Sequence, residues 1–352
     1  MNELRTILGD VVTRLFTERV TKDLLESAET GAWPDALWQA VEENGLTWPL
    51  VPESKGGAGG TWADAFVVAR AAGRHAVPLP IVETIVGSWL LSASGLDVPS
   101  GPLTLAPVHR DERLRLARAG NAWRLSGAAA RVPWGRAAGH VVVVTEADGR
   151  TMVALAARGA VVVKADQNLA REPRDTLVFE QTPVVASAPA GRGVPPQATF
   201  LYGALARSAQ MAGGLDYLLR QASQYATERR QFGKPIGSFQ AIQQNLAVLA
   251  DHAAAAGTAA ANAFGAADRG DAAFEIAVAK VRVGEAAGLG ASIAHQVHGA
   301  IGFTYEHALQ FTTRRLWSWR AEFGSESDWA VELGRSVAER GADALWPHLT
   351  SR

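Results

Sequence analysis

The sequence predicts an α+β chain, mainly α, in three successive blocks: an N-terminal helical domain over 1–98, a middle antiparallel β domain over 99–190 and a C-terminal four-helix bundle over 191–352. Three observations carry this. Apolar residues near the N-terminus recur at helical spacing. From about 103 to 186 short β-branched runs separated by turn residues take over. From Thr199 onward long helical runs return, joined by short Gly-containing turns, as in antiparallel bundles.

In the first block Leu4, Leu8, Val11 and Leu15 form a helical stripe, and Trp33-Pro34 opens a further short helix. Gly45 ends one helix, and Gly56 to Gly60 is a flexible loop. Thr61 is then placed to cap the helix carrying Ala65, Phe66 and Ala69. Pro78 and Pro80 break that helix before another runs from Ile81 to Ser94. In the second block Val141 to Thr145, a turn at Asp148-Gly149, and Thr151 to Ala156 read as a hairpin. Arg113 to Ala117, Ala122 to Ser126, Val161 to Lys164 and Asp175 to Phe179 read as further strands. The Pro-, Ala- and Gly-rich stretch Ala186 to Pro196 reads as the linker out of this block. The bundle helices are expected over about 199–229, 238–267 and 271–298, with a fourth starting near Tyr305.

The chain has 352 residues, 48% hydrophobic and 20% charged, enough for a substantial core in one multi-layer unit or in two to three domains. A formal net charge of −1, with no long block of one sign, offers no field to attract nucleic acid or an anionic membrane. Cysteine is absent, which excludes disulfides, thiolate metal sites and a cysteine nucleophile. No metal site is expected, because His295 and His298 lack carboxylates at ligand spacing and read as packing or polar helix positions. No signal peptide is visible, and the Ala-rich run Ala253 to Ala267 is too short and too weakly apolar to span a bilayer. The expected location is the cytoplasm.

One stretch draws particular notice: YATERRQFGKPIGSFQAIQ, Tyr225 to Gln243. A long helix ends in Glu228-Arg229-Arg230, breaks at Gly233-Lys234-Pro235 and restarts near Ser238. Unpaired backbone groups beside guanidinium donors suit a diphosphate. The same residues also read as a solvated helix end followed by an ordinary turn.

With three blocks in this order, the chain resembles an acyl-CoA dehydrogenase over almost its whole length. In the first block the resemblance rests on WQAVEENGLTWPLVPESKGGAGGTWADAFVVARAAGR; in the bundle it rests on YATERRQFGKPIGSFQAIQQNLA and QVHGAIGFTYEHALQFTTRR. It implies FAD at a subunit interface, with the bundle of one subunit holding the diphosphate and adenine end of its neighbour's FAD. Matched residue by residue, Arg229 takes the place of the diphosphate-binding arginine, Phe232 of the aromatic near the adenosine, and Gln240 of a polar contact to it. Gln296 and Gly299 match a side-chain amide and a close-approach glycine facing the same cofactor. Gln240 and Gln296 also read as surface polar residues.

Two departures stand out against the family pattern. The family's catalytic glutamate follows an Arg-Arg segment, and here that region reads RRLWSWRAEFGSESDW, with Phe323 at the base position and Glu322 one residue away. The alternative base site in the first bundle helix, within TFLYGALARSAQ, falls on Gly203. The flavin-facing strand motif is also missing from PLTLAPVHRDERLRLARAGNAWRL, although LSGAAARVPWGRAAGHVVVV keeps a later strand, with Trp134 as its aromatic.

These losses imply a subunit without a catalytic residue, as in the α2β2 acyl-CoA dehydrogenases of steroid side-chain degradation. A catalytic partner would supply the glutamate and the acyl-CoA pocket, and electron-transferring flavoprotein would accept the electrons. Two alternatives stand beside this: a homo-oligomeric dehydrogenase using Glu322 as a displaced base, and a flavin-free scaffold. On the residues alone Glu322 also reads as a solvated carboxylate pairing with Arg320.

Overall fold

The computed structural model describes residues 3–352. Its first block holds α1 (Glu3–Arg19), α2 (Lys22–Glu29), α3 (Asp35–Glu43), α4 (Trp62–Arg74) and α5 (Ile81–Ala93). The buried line of α1 is Leu8, Val12 and Phe16, while Val11 and Leu15 pack half-buried beside it. Thr61 caps α4 in a reciprocal box: its backbone N–H donates to Asp64 Oδ2 at 2.8 Å. Asp64 also accepts Arg5 Nε at 3.0 Å, which ties α1 to the start of α4.

The middle block is two four-stranded sheets packed face to face. One has the order β1 (Leu103–Ala106), β4 (His140–Ala147), β5 (Arg150–Ala157), β8 (Ala186–Pro189). The other has β2 (Arg115–Ala119), β3 (Ala122–Pro133), β7 (Arg174–Pro183), β6 (Val162–Lys164). The predicted hairpin is β4 and β5, and every pairing is antiparallel except β1 with β4. The first residues of the expected linker are an edge strand, because Ala186–Pro189 finds free backbone partners along β5. Strand β4 is buried on both faces. Val141 and Val143 pack with Leu125, Leu177 and Phe179 between the sheets, while Val142 and Val144 join the core shared with α5. Burial on both sides explains its unbroken valine run.

The last block is α6 (Ala198–Glu228), a small hairpin of β9 (Arg230–Gln231) and β10 (Lys234–Pro235), α7 (Gln240–Arg269), α8 (Ala273–His298) and α9 (Leu309–Ala321). Beyond the expected fourth helix lie α10 (Glu326–Arg340) and α11 (Ala342–Thr350). Helix α6 is the hub, apolar around most of its circumference and packed against α4, α7, α8 and α9. Small residues let α4 approach it closely: a Cβ on Gly73 would strike the backbone of Gln210, and one on Gly213 the backbone of Arg70. Among the described residues no helix is long and apolar enough to cross a membrane.

Backbone against backbone leaves no side chain to move aside at this crossing. Gly73→Ala is expected to cost about 1–3 kcal/mol, as overpacked cores do, and to lower the thermal unfolding midpoint by several degrees. A melt followed by circular dichroism checks this.

Candidate functional site

Helix α6 stops because Arg229 turns out of it, at φ −69° and ψ 123°. Its N–H still donates to Tyr225 O at 2.8 Å, and its carbonyl accepts Ile236 N–H at 2.8 Å. Between β9 and β10 the chain reverses through Phe232 (φ +50°) and Gly233 (φ +79°). Two positive φ values in a two-residue hairpin loop match the right-handed twist of the flanking strands. Glycine does this freely, whereas phenylalanine in the left-handed region costs about 1–2 kcal/mol. Nevertheless Phe232 sits at the tip and is 90% exposed.

Facing this hairpin, α8 ends at His298, and the chain turns through Gly299 at φ +64° and ψ −145°. Only glycine adopts that conformation readily. The hairpin, Phe239, Ile242 and the end of α8 enclose an open groove of about 660 Å³. Arg229, Phe232, Gln296 and Gly299 all line it, although Arg229 and Gln296 lie far apart in the chain. Gln240, the first residue of α7, is exposed and does not line the groove. His298 lines the groove from below, stacked on Tyr225 at 4.6 Å with Nδ1 2.7 Å from Ala294 O. Burial holds its imidazole below the usual histidine range. His295 is buried too, with Nε2 3.0 Å from Thr313 Oγ1 and its ring stacked with Phe303 at 4.1 Å. Neither joins a metal-binding group among the described residues.

The second region lies where the three blocks meet. Phe323, two residues past the end of α9, is 2% exposed at φ +54°. A Cβ on Gly203 of α6 would run into its ring. The two positions to which the family pattern assigns a base are therefore neighbours in space, and one phenyl group fills them both. Next to it Glu322 turns inward, which corrects the expectation of a solvated carboxylate paired with Arg320. Helix α9 ends at Ala321, and extended backbone at Glu322 (φ −73°, ψ 137°) swings the side chain into the interior. Arg320 pairs instead with Glu326.

Both oxygens of Glu322 are occupied. Arg174 donates from Nε at 2.6 Å and Nη2 at 3.1 Å, Arg207 from Nε at 2.7 Å, and Asn168 from Nδ2 at 3.2 Å. Arg207 continues to Glu83 of α5 at 2.6 Å. Glu172 accepts from Arg174 at 2.8 Å, from Arg315 at 3.1 Å and from the Trp319 indole at 3.1 Å. Three arginines and three glutamates, all buried, thus balance one another across all three blocks. Burial alone would push the Glu322 carboxyl up, but the Arg174 and Arg207 guanidiniums override it and hold it down at about 2. A carboxylate so held is a poor proton acceptor near neutrality. Behind the segment, buried Lys280 donates to the carbonyls of Arg320 at 2.7 Å and Gly324 at 2.6 Å.

The loop after β1 is also committed elsewhere. Arg110 lies over the rings of Phe200 and Trp329, at 4.9 and 4.8 Å, and reaches Glu332 at 2.8 Å. Trp134 is buried against Trp33, their ring centroids 6.4 Å apart. The sequence reading missed Glu83, Glu172, Arg174, Arg207 and Arg315. Their one available signal was charge inside apolar runs, such as Arg207 in YGALARSAQMAGG and Glu83 in PIVETIVGSWLL.

The sequence profile of the acyl-CoA dehydrogenase N-terminal domain matches residues 2–97, and that of the C-terminal domain matches 191–326. The chain is 28% identical over 347 residues to the acyl-CoA dehydrogenase IpdE2 of Mycobacterium tuberculosis, covering 98% of each. Among solved structures, a variant of the Tcur3481–Tcur3483 steroid ACAD superposes with a TM-score of 0.86 at 25% identity, over 95% of this chain and 98% of that one. The ChsE4–ChsE5 complex of Mycobacterium tuberculosis has the same fold, with a TM-score of 0.86 at 24% identity over 97% and 99% of the two chains.

Removing the Glu322 charge leaves three buried guanidiniums facing two carboxylates. Glu322→Gln is expected to destabilise the protein by about 3–5 kcal/mol in chemical denaturation at neutral pH. The carboxyl is depressed from 4.5 to about 2, so its contribution is complete above about pH 4.5 and fades as pH falls towards 2. The gap between wild type and variant should narrow across that window.

Proposed function

Because the chain belongs to the acyl-CoA dehydrogenase family, we propose that it serves the α,β-desaturation of an acyl-CoA thioester as the subunit of a heteromer that lacks the catalytic glutamate. In this role its groove holds the diphosphate and adenine end of FAD whose reactive ring lies in a catalytic partner. The observation that carries the reading is the contrast between the two regions. At the base position Phe323 packs on Gly203 and Glu322 is consumed by ion pairs. At the groove Arg229 makes no ion pair among the described residues. The Tcur3481–Tcur3483 steroid ACAD among the structural relatives, named for two components, supports the heteromeric part of the reading.

The groove suits the group. Its volume is about 660 Å³, its floor is apolar and aromatic, and Gly299 presents backbone with open space where a Cβ would stand. FAD, when bound, accepts the β-hydride of the acyl chain. This chain's residues hold and orient: the Arg229 guanidinium faces the diphosphate, the exposed Phe232 ring offers a stacking surface to adenine, and the Gln296 amide adds a polar contact. The α-proton is taken by a carboxylate of the partner. In this assignment α2β2 assembly, acyl-CoA as substrate and an electron-transferring flavoprotein as acceptor follow the family. The locked Glu322 argues against a homo-oligomeric enzyme that uses it as base.

The chain purified alone should show no acyl-CoA dehydrogenase turnover, and co-expression with a catalytic subunit should yield a yellow, active complex. Flavin together with turnover from the chain alone would overturn the proposal, and no flavin under either condition would point to a scaffold. In the complex, Arg229→Ala should weaken FAD retention by about ten- to a hundredfold, the worth of a charge-assisted hydrogen bond. Flavin content after dialysis measures it.

A further inference from the structure

A second cavity, of about 610 Å³, lies between the helical domain and the β domain. Cavities of this size at a domain junction, aromatic and with few polar groups, are where small ligands bind. Trp33 and Trp134 line it edge to face, their ring centroids 6.4 Å apart, and Pro78, Pro102 and Pro173 add rigid apolar surface. Neither Phe323, Gly203 nor Glu322 lines it, so it is separate from the closed region at the base position. It also shares no lining residue with the groove at the end of α6, so this reading and the heteromeric one can fail separately. We propose that the cavity binds an aromatic carboxylate, with the two tryptophans against its ring and Arg171 against its charge.

The charge follows from the ionised groups of the lining. Glu29 is met by Arg314 at 2.5 Å, and Arg136 by the buried Asp175 at 3.2 Å. Arg171 is the remaining ion, exposed, and its guanidinium has no hydrogen bond or ion pair to the described residues. The walls thus carry one uncompensated positive charge, which suits one carboxylate. The chain around Arg171 fixes where that charge sits. Its backbone is at φ +59°, a left-handed conformation unfavourable for arginine. Asn168 imposes it: its Oδ1 accepts the N–H groups of Ala170 at 2.9 Å and Glu172 at 3.1 Å, and its carbonyl accepts the Arg171 N–H at 2.9 Å. Asn168 and Glu172 are themselves locked into the buried charge network. Backbone strain held in place by its surroundings clusters at ligand sites.

Calorimetric titration of the purified full chain with 1-naphthoate tests this, beside its uncharged amide 1-naphthamide and the non-aromatic carboxylate hexanoate. One saturable naphthoate site is expected, with each of the other two about tenfold weaker for want of the charge or of the ring. Arg171→Gly should abolish the preference for naphthoate over naphthamide. It should also raise the thermal unfolding midpoint of the free chain, because glycine holds the left-handed conformation without strain. Arg171→Lys should keep the preference for the charged ligand, and Trp33→Leu should lose the preference over hexanoate. Absence of a naphthoate site, or equal affinity for naphthamide or hexanoate, overturns the proposal. So does unchanged selectivity in Arg171→Gly, and so does displacement of naphthoate by FAD, which would place the ligand in the other groove.

Discussion

Three guanidiniums and three carboxylates buried at the junction of the helical domain, the β domain and the bundle set the terms for the rest of this molecule. Each ion taken out of water costs several kcal/mol unless a partner meets it at close range. Here Glu83 comes from α5, Glu172 and Arg174 from the edge of the β domain, Arg207 from α6, Arg315 from α9 and Glu322 from just beyond it. The charges cancel only when all these elements are in place together. The network therefore specifies one arrangement of the three blocks, and a shift of any block would strand a charge in the interior.

That arrangement decides what the neighbouring space can do. Once Glu322 is drawn inward, Phe323 must follow the turn, and its ring has one place to go, above the bare backbone of Gly203. The Trp329 indole donates to the Phe323 carbonyl at 2.8 Å, and Lys280 holds the carbonyls on either side, so the segment has few free backbone acceptors. Charge, aromatic bulk and capped backbone fill this region. At the far end of the same helix the opposite policy holds. The hairpin after α6 holds Phe232 in a left-handed conformation with its ring exposed, and Arg229 beside it lines an open groove. One helix thus links a closed interior to an open rim.

Much of this was legible in the residues. The Thr61 cap, the two-proline break before α5, the hairpin of β4 and β5 and the long bundle helices each follow from local chemistry: a side-chain oxygen where N–H groups lack partners, a ring without an N–H, an Asp-Gly turn. Sequence motifs also drew attention to Arg229, Phe232, Gln296 and Gly299 before any coordinates. Gln240 belongs to the same run of residues; as the first residue of α7 it is exposed and is not among the residues that line the groove with Phe239 and Ile242.

Sequence alone determined the order of the blocks and the family, because these are properties of residues one after another. Only the tertiary structure decided that Gly203 and Phe323 meet and that Glu322 is buried among arginines. Local periodicity says which face of a helix is apolar, but not which distant chain segment will cover it. Buried charge obeys no period at all. Its position is fixed by partners brought together from α5, the β domain, α6 and α9, and a carboxylate such as Glu322 looks like any surface acid until they arrive.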